Sequence, residues 1–384
     1  MNNTPKDDIK LLIGGDFAPV GQIETNRLQK RSSLFQKELV ELFREYDYTI
    51  LNLECPLTLG NDKILKTGPH LKAHPETIND LLDLNVQCVT IANNHIRDYG
   101  NQGVHDTLDL CKKNNIDIVG AGKDADEAGK VLYKTLKSKT IAILNFSESE
   151  FNIAGKDYAG SNADEPINIY YQLKEAKSKS DFQIVILHGG KEMYELPTPM
   201  QKELFRFVAD LGVTAVIGHH SHVLSGHETI NKIPIIFSLG NFAFDDHDLS
   251  PAWNRGLLAS LTITQGGTVV YELIPVIQDW SSGEVRLAEE REKAEVENSI
   301  AEINLKIADE NSFKELWEKA ISSEHKGWLK TLFHFNKVER FLFRFPLIEK
   351  FLSDKKHALK MYNVMNCRTT RSIIIHILKN SIDT

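Results

Sequence analysis

The chain has 384 residues and a formal net charge of −8, with the composition of an ordinary soluble globular protein. Its length allows one large domain and an appendage, and its acidic balance gives no sign of a nucleic-acid surface. Residues 1–10 lack the apolar core of a signal peptide, and no apolar run is long enough to span a bilayer. We therefore expect a cytoplasmic protein. None of the four cysteines forms a CxxC pair, so a thiolate metal site is not predicted.

Short apolar runs alternate with helix-period segments from residue 9 to about 280. The runs predict strands at 9–13, 48–53, 86–92, 116–119, 182–187, 215–217, 234–239, 257–264 and 268–275, and a hairpin that joins 131–133 to 140–144. The periodic segments predict helices at 33–44, 75–82, 101–113, 168–178 and 199–211. Strands that alternate with helices indicate a layered α/β domain with the helices outside. The late strands indicate a mixed sheet or two stacked sheets.

The strand pattern stops near residue 282, which predicts a main domain over 1–282 and a helical extension over 283–384. Amphipathic helices are predicted at 285–303, 311–335 and 337–380, the last interrupted at Pro346. From Thr331 to Thr384 there are ten Lys or Arg against four Asp or Glu. Because basic amphipathic helices can lie on anionic lipid, peripheral membrane contact is one expectation. A helix packed on the main domain with a solvated basic face is the other.

Six strand ends in this pattern carry acid, amide or imidazole side chains. The candidate metal ligands are Asp16, Glu54, Asn94, His188, His220 and His222. Ligand types from so many strand ends can meet only if the strands lie side by side, which predicts a metal-loaded crevice at the carboxyl edge of a sheet. Buried carboxylates are costly when unpaired, and a divalent cation satisfies two of them at once. Nitrogen and oxygen ligands without sulfur favour one or two ions of Mn, Fe or Zn.

Three histidines follow the short strand at 215–217. In extended backbone, residues i and i+2 project to the same side, so His220 and His222 can share a metal site and His219 should point away. His188 ends an apolar strand and precedes Gly189-Gly190, which suits a site residue. A buried, hydrogen-bonded histidine cluster is the alternative interpretation.

His95 and Asp98 are the candidate catalytic residues. The imidazole of His95 can protonate a leaving group or bind a phosphate oxygen, and Asp98 can orient it by accepting its other N–H. Capping of the following helix is the alternative role for Asp98. The candidate substrate-binding residues are Lys191, Glu192, Tyr194 and Asn241. A hydrogen bond from Asn241 to the ligand loop is an equally good interpretation of that residue.

Taken in order, these segments resemble the CapA family of bacterial capsule-synthesis proteins. The matching stretches are Gly15-Asp16, Asn52 to Thr58, Ala92 to Gly100, Gly120 to Gly122, His188 to Tyr194, Gly218 to Val223 and Ser238 to Asp245. The resemblance covers roughly residues 10–275. It implies a link to poly-γ-glutamate and a four-layered α-β-β-α sandwich of the calcineurin-like metallophosphoesterase type.

The same resemblance implies how the candidate ligands divide between two ions. Asp16 and His222 would serve one ion, and Asn94, His188 and His220 the other, with Glu54 between them in place of the usual aspartate. One position departs from the metallophosphoesterase pattern Asp-x-His, because Ala18 stands where that pattern has an imidazole. Glu192 and Asp245 are candidate replacement ligands.

Two functions remain open from the sequence. The first is a metal-dependent hydrolase that uses metal-activated water on a phosphoester or amide of an anionic polymer. The second is a non-catalytic assembly or binding partner of a capsule-polymer synthetase, which the missing imidazole and the helical tail favour.

Overall fold

The computed structural model describes residues 7–29, 33–245, 251–279, 284–332 and 355–382. The chain divides into two compact units, one that ends at Lys314 and one that begins at Glu315. Two large β-sheets and the helices that cover them make up the first unit.

The first sheet has eight strands. In spatial order they are β16 (Glu284–Leu287), β15 (Val269–Asp279), β14 (Arg255–Ile263), β1 (Ile9–Ala18), β2 (Tyr48–Leu53), β3 (Cys88–Thr90) and β4 (Asp117–Val119), with β13 (Asn241–Phe244) also paired to β1. Strands β1 to β4 are parallel, whereas β14, β15 and β16 add antiparallel pairs. The carboxyl ends of β1, β2 and β3 therefore meet at one edge.

The second sheet has six strands. Their order is β11 (His227–Ile230), β12 (Ile233–Ile236), β10 (Ala215–His219), β9 (Phe182–His188), β7 (Lys139–Ser147) and β6 (Leu132–Leu136). The central strands β7, β9, β10 and β12 are parallel. Two short strands, β5 (Ala121–Gly122) and β8 (Gly160–Ser161), pair separately.

The two sheets pack face to face around a shared apolar core. Leu11, Ile13 and Ile50 of the first sheet belong to the same buried cluster as Ile184 and Ile217 of the second. The outer face of the first sheet is covered by α1 (Gly21–Leu28), α2 (Lys37–Arg44), α3 (Ile78–Asp83) and α4 (Gly100–Lys113). The second sheet is covered by α6 (Pro166–Lys179) and α7 (Pro199–Asp210), and a short α5 (Ala125–Ala128) contacts β5 and β8. These layers confirm the predicted four-layered α-β-β-α sandwich.

The first unit continues past residue 282, where the sequence placed the domain boundary. Strand β16 pairs antiparallel with β15, and α8 (Glu290–Ala308) contributes Val296 and Ile300 to the core between the sheets. The sequence predicted an amphipathic helix over 285–303 but assigned it to the extension, because its apolar face does not reveal which domain it packs against, and the four-residue strand β16 was too short to be recognised. Strands β11 and β13 and helix α1 were not predicted either.

Helices form the described part of the C-terminal region, as predicted. They are α9 (Glu310–Leu332), which contains the boundary between the units, α10 (Lys355–Asn366) and α11 (Arg368–Ile382). The predicted interruption at Pro346 lies outside the described residues. Across the described part of the chain, no helix combines the length and the apolar character that crossing a bilayer requires.

Gly15 allows β1 to approach the turn that precedes β13. A Cβ atom at this position would lie 2.0 Å from the carbonyl oxygen of Gly240. The same oxygen accepts a hydrogen bond of 3.0 Å from the backbone N–H of Asp16, and Asp16 is the register partner of Asn241. The close approach therefore positions Asp16 beside the start of β13.

Replacing Gly15 with alanine should lower the free energy of unfolding by about 1–3 kcal/mol, because the new methyl group meets a backbone oxygen rather than a movable side chain. Urea denaturation followed by circular dichroism measures the change. Gly266→Ala is the matched control, since the nearest atom to a Cβ there is 4.0 Å away. Equal stability of the two variants would contradict the close packing at Gly15.

Candidate metal centre

The six predicted metal ligands lie together where strand ends of both sheets meet. They are Asp16, Glu54 and Asn94 from the first sheet and His188, His220 and His222 from the second. All six residues are buried. The convergence follows from the topology, because parallel strands that lie side by side end at the same edge.

One compact group of ligand atoms surrounds Nε2 of His188. This nitrogen lies 3.1 Å from Oδ1 of Asn94, 3.2 Å from Nδ1 of His220 and 3.5 Å from Oε1 of Glu54. Four ligands about 2.1 Å from a tetrahedral ion lie about 3.4 Å from one another. The spacing in this group is therefore that of ligands around a single cation.

A second group shares Glu54 with the first. Nε2 of His222 lies 3.5 Å from Oε1 of Glu54, and Nδ1 of the same ring lies 3.5 Å from Oδ2 of Asp16. Glu54 thus lies between the two groups. Glu54 also belongs to both clusters of three side chains whose ligand atoms lie within 4.8 Å of one another, one with Asp16 and His188 and one with His220 and His222.

Both carboxylate oxygens of Glu54 are buried and lack a hydrogen-bond partner. Burial, followed by the nearby carboxylates of Asp16, Glu192 and Glu150, raises the pKa of Glu54 well above its usual value. An ionised carboxylate without donors is strongly unfavourable in a protein interior, and a divalent cation relieves that cost. The donor set therefore fits a bound metal.

The surroundings of the centre shift the pKa values of His220, His188 and Asp16. Burial, with the neighbouring His222, lowers the pKa of His220 to about 3. Burial and the neighbouring His220 lower the pKa of His188 well below its usual value. Burial alone would raise the pKa of Asp16, but contacts with His219, His188 and His222 lower it. At neutral pH His188 and His220 are therefore neutral and Asp16 is ionised, the states that metal ligation requires.

Asn241 sets the tautomer of His222. Its Nδ2 donates to the carbonyl oxygens of His222 and Trp253, at 3.3 Å and 3.1 Å, so its Oδ1 is turned to Nδ1 of His222 at 2.9 Å. Because an amide oxygen only accepts, Nδ1 of His222 carries the proton and Nε2 is left for a metal. Asn241 is buried behind the ring, a position that suits orientation of His222 rather than substrate contact.

The prediction that His219 points away from the centre is wrong. Nδ1 of His219 lies 3.2 Å from Oδ1 of Asp16. The prediction assumed extended backbone, but φ is 96° at His220 and 58° at His222, in the left-handed region. The chain turns after β10, and this turn brings three successive imidazoles, at 219, 220 and 222, towards the centre.

His95 is held by a buried charged cluster beside Asn94. Its Nδ1 donates to Oδ2 of Asp98 at 2.8 Å, and the same oxygen accepts the backbone N–H of Leu71 at 2.7 Å. Lys66 forms an ion pair with the other oxygen of Asp98, and its Nζ lies 3.4 Å from Nδ1 of His95. Asp98 thus orients His95, which is one of the two roles that the sequence left open for it.

Lys66 was missed from the sequence. It lies in the loop between β2 and the 3₁₀ turn Pro75–Thr77, without a strand end or motif to mark it. Only its burial, with a side chain 4% exposed, and its pairing with Asp98 reveal the role. No periodic pattern in the sequence carries that information.

The remaining candidates lie at the edge of the centre or outside it. Lys191 and Tyr194 are half-buried and Glu192 is exposed; the backbone N–H of Met193 donates to the carbonyl of Ser221 at 2.9 Å, which joins this segment to the histidine turn. Asp245 accepts a hydrogen bond from the backbone N–H of Gln22. That contact ties Asp245 to the first turn of α1.

The family model described as "Bacterial capsule synthesis protein PGA_cap" matches residues 10–246. The chain belongs to this family. It is 34% identical to the PGA biosynthesis protein CapA of Bacillus subtilis over 274 residues, which are 68% of this chain and 70% of that protein. It is 30% identical to the capsule biosynthesis protein CapA of Bacillus anthracis over 248 residues, 61% of this chain and 59% of that protein. The resemblance found in the sequence is confirmed.

Among solved structures, the NAD nucleotidase of Haemophilus influenzae (NadN) aligns with a TM-score of 0.41 and 13% identity. The alignment covers 77% of this chain and 62% of that chain. A likeness this weak carries no argument about the reaction.

Glu54→Gln should abolish stabilisation by Mn²⁺ without destabilising the metal-free protein. Ionising a buried carboxyl group whose pKa is raised costs folding free energy at neutral pH, so the neutral amide should be tolerated or favourable. In the unmodified protein, Mn²⁺ at 100 times its Kd should add about 2.7 kcal/mol of stability. Thermal unfolding with and without Mn²⁺ measures both effects.

The matched control is Glu203→Gln, an exposed position on α7. This variant should keep the full response to Mn²⁺. A Glu54→Gln protein that Mn²⁺ stabilises as much as the unmodified chain would show that Glu54 is not part of the metal centre.

Proposed function

We propose that this protein is a metal-dependent hydrolase of capsule-polymer synthesis, acting on a phosphoester or amide bond of an anionic substrate. The observation that carries the proposal is Glu54, whose two buried oxygens lack a hydrogen bond and whose Oε1 lies 3.5 Å from Nε2 of both His188 and His222. A purely structural carboxylate would be surrounded by N–H or O–H donors. Membership of the capsule synthesis family supports the polymer context, and the PGA in one relative's name supports poly-γ-glutamate as the polymer.

The ligands divide between two positions that share Glu54. His188, His220 and Asn94 would hold one ion, and Asp16 and His222 the other. Donor atoms that are nitrogen and oxygen without sulfur favour Mn, Fe or Zn. When bound, such a metal supplies an activated water and polarises the bond that the water attacks.

His95 would exchange a proton with the substrate. Its Nδ1–H is donated to Asp98, so Nε2 is the nitrogen available to a leaving group or a bound oxyanion. The ion pair between Lys66 and Asp98 keeps that carboxylate in place. The imidazole is thereby held in one orientation before substrate binds, as efficient proton transfer requires.

Purified protein supplied with Mn²⁺ should hydrolyse a generic phosphodiester, bis(p-nitrophenyl) phosphate, or a γ-glutamyl chain. His95→Ala should lower kcat by about 10²–10⁴-fold, because it removes a proton-transfer group. Its Mn²⁺ content should stay unchanged, because His95 is not among the ligands. Initial rates and elemental analysis of the same samples measure the two effects.

The control for this experiment is His105→Ala, which removes an exposed histidine on α4 and should leave both rate and metal content unchanged. A protein that binds Mn, Fe and Zn but hydrolyses neither substrate with any of them would contradict the hydrolase proposal.

The second candidate function is a non-catalytic partner of a polymer synthetase at the membrane. Between 355 and 382 there are six Lys or Arg and no Asp or Glu, and Ile373, Ile375 and Leu378 of α11 are exposed. A basic helix with exposed aliphatic side chains suits an anionic lipid surface. This composition is the observation that favours the second candidate.

If the second candidate is correct, the protein should sediment with vesicles that contain phosphatidylserine, whether or not Glu54 is changed to Gln. Changing Lys355, Lys356 and Lys360 together to Glu should weaken sedimentation strongly, since each basic residue near such a surface contributes about 1 kcal/mol. Equal sedimentation of the charge-reversed and unmodified proteins would contradict electrostatic contact through α10.

A further inference from the structure

His219 is a buried imidazole that the proposed ligand sets do not use. Its side chain is 1% exposed, and neither ring nitrogen has a hydrogen-bond partner. Leaving a buried donor or acceptor unsatisfied costs about 1–3 kcal/mol. Because His219 carries this desolvation cost beside a candidate metal centre, we expect it to contribute to that centre.

The strand pairing directs His219 to the centre. His219 is the last residue of β10, and its register partner in the parallel pair with β9 is His188. Paired residues of neighbouring strands project to the same face of a sheet. The side chain of His219 therefore lies on the same face as a proposed metal ligand, and this placement is set by the backbone.

Of the histidines around Asp16 in the described residues, His219 is the one with an uncommitted nitrogen nearby. Nδ1 of His188 is 3.9 Å from Asp16, too far for a hydrogen bond. Nδ1 of His222 is 3.5 Å away but is bonded to Asn241 at 2.9 Å. Nδ1 of His219 is 3.2 Å from Oδ1 of Asp16, within hydrogen-bond distance but not aligned with it. A small rotation of the ring or the carboxylate would complete that bond.

The Asp16 side of the centre has fewer proposed ligands than the His188 side. Three proposed ligands serve it (Asp16, His222 and Glu54), against four on the other side (His188, His220, Asn94 and Glu54). Position 18 supplies no imidazole, because it is an alanine. Ala18 packs with Phe244 and Trp253 in an apolar cluster. The carboxylate of Asp16 is held at present by Nδ2 of Asn52 at 2.7 Å and the backbone N–H of His220 at 3.1 Å.

We propose that His219 is a positioning residue of the metal centre, which donates its Nδ1–H to Oδ1 of Asp16 and fixes that carboxylate on its ion. The inference rests on the proposed metal centre but not on the hydrolytic reaction. A ligating carboxylate that is itself hydrogen-bonded holds its metal more tightly, and loss of such a partner typically weakens metal binding 10- to 100-fold.

The test compares three variants of the full chain by titration of the metal-free protein with Mn²⁺ alone. His219→Phe keeps the ring volume and removes both nitrogens. His219→Asn places an amide N–H near the position of Nδ1. His227→Phe changes a half-buried histidine whose partners are Tyr271 and Asn304 and serves as the control.

The unmodified protein and His227→Phe should bind two Mn²⁺ ions. His219→Phe should bind one ion normally and the other about 10- to 100-fold more weakly, and His219→Asn should recover most of that loss. Recovery by asparagine separates a hydrogen-bond donor from a space-filling ring. Thermal unfolding of the metal-free variants verifies that each is folded, and if the phenylalanine variant fails, His219→Gln, which lacks a donor at the Nδ1 position, takes its place.

Normal binding of both ions by His219→Phe would overturn the inference and leave the proposed function intact. Equal weakening in the Phe and Asn variants would also overturn it, because it would show that only the ring shape matters. An unmodified protein that binds no Mn²⁺, Fe²⁺ or Zn²⁺ would instead overturn the metal centre and this inference with it.

Discussion

Both carboxylate oxygens of Glu54 are buried without a hydrogen-bond donor, and a bound cation would relieve the cost of ionising this group. The groups around it are suited to the same cation. His188 and His220 are kept neutral by burial, and the amide oxygen of Asn94 adds a ligand without adding charge. Neutral ligands around the buried carboxylate of Glu54 are therefore the set that suits a bound cation.

The fold supplies the positions that this acid requires. Two sheets face each other across an apolar core, and their parallel strands bring acids from one sheet and imidazoles from the other to a common edge. Close backbone approach at Gly15 and Gly240 fixes Asp16. The side-chain amide of Asn52 then hydrogen-bonds to Asp16, and that of Asn241 hydrogen-bonds to His222. The precision of the centre comes from strands and packed amides more than from loops.

Strand ends were the part of the site that the sequence could predict. An apolar run followed by Asp16 or His188 indicates both a strand and the edge at which it ends, and six such signals were enough to indicate a shared crevice. The layered fold was indicated by the alternation of strands with helices, and its four layers by the family resemblance. The turn at His220 and His222 could not be predicted, because its left-handed backbone leaves no periodic signal. Lys66 could not either, since its role depends on contact with Asp98 across 32 positions of chain.

Family membership and metal binding are supported by different observations. Similarity over residues 10–246 establishes where the chain belongs, whereas the spacing of nitrogen and oxygen atoms around Glu54 supports a metal. Ala18, packed against aromatic side chains, makes this centre differ from an Asp-x-His pattern.

The most direct test is anomalous diffraction from crystals of protein purified without chelators and soaked in Mn²⁺. We expect a strong peak about 2.0–2.2 Å from Nε2 of His188 and Nδ1 of His220, and a second about 3.5–4 Å from the first on the Asp16 side of Glu54. Crystals with no anomalous peak near Glu54, or with its oxygens hydrogen-bonded to protein groups instead, would contradict it.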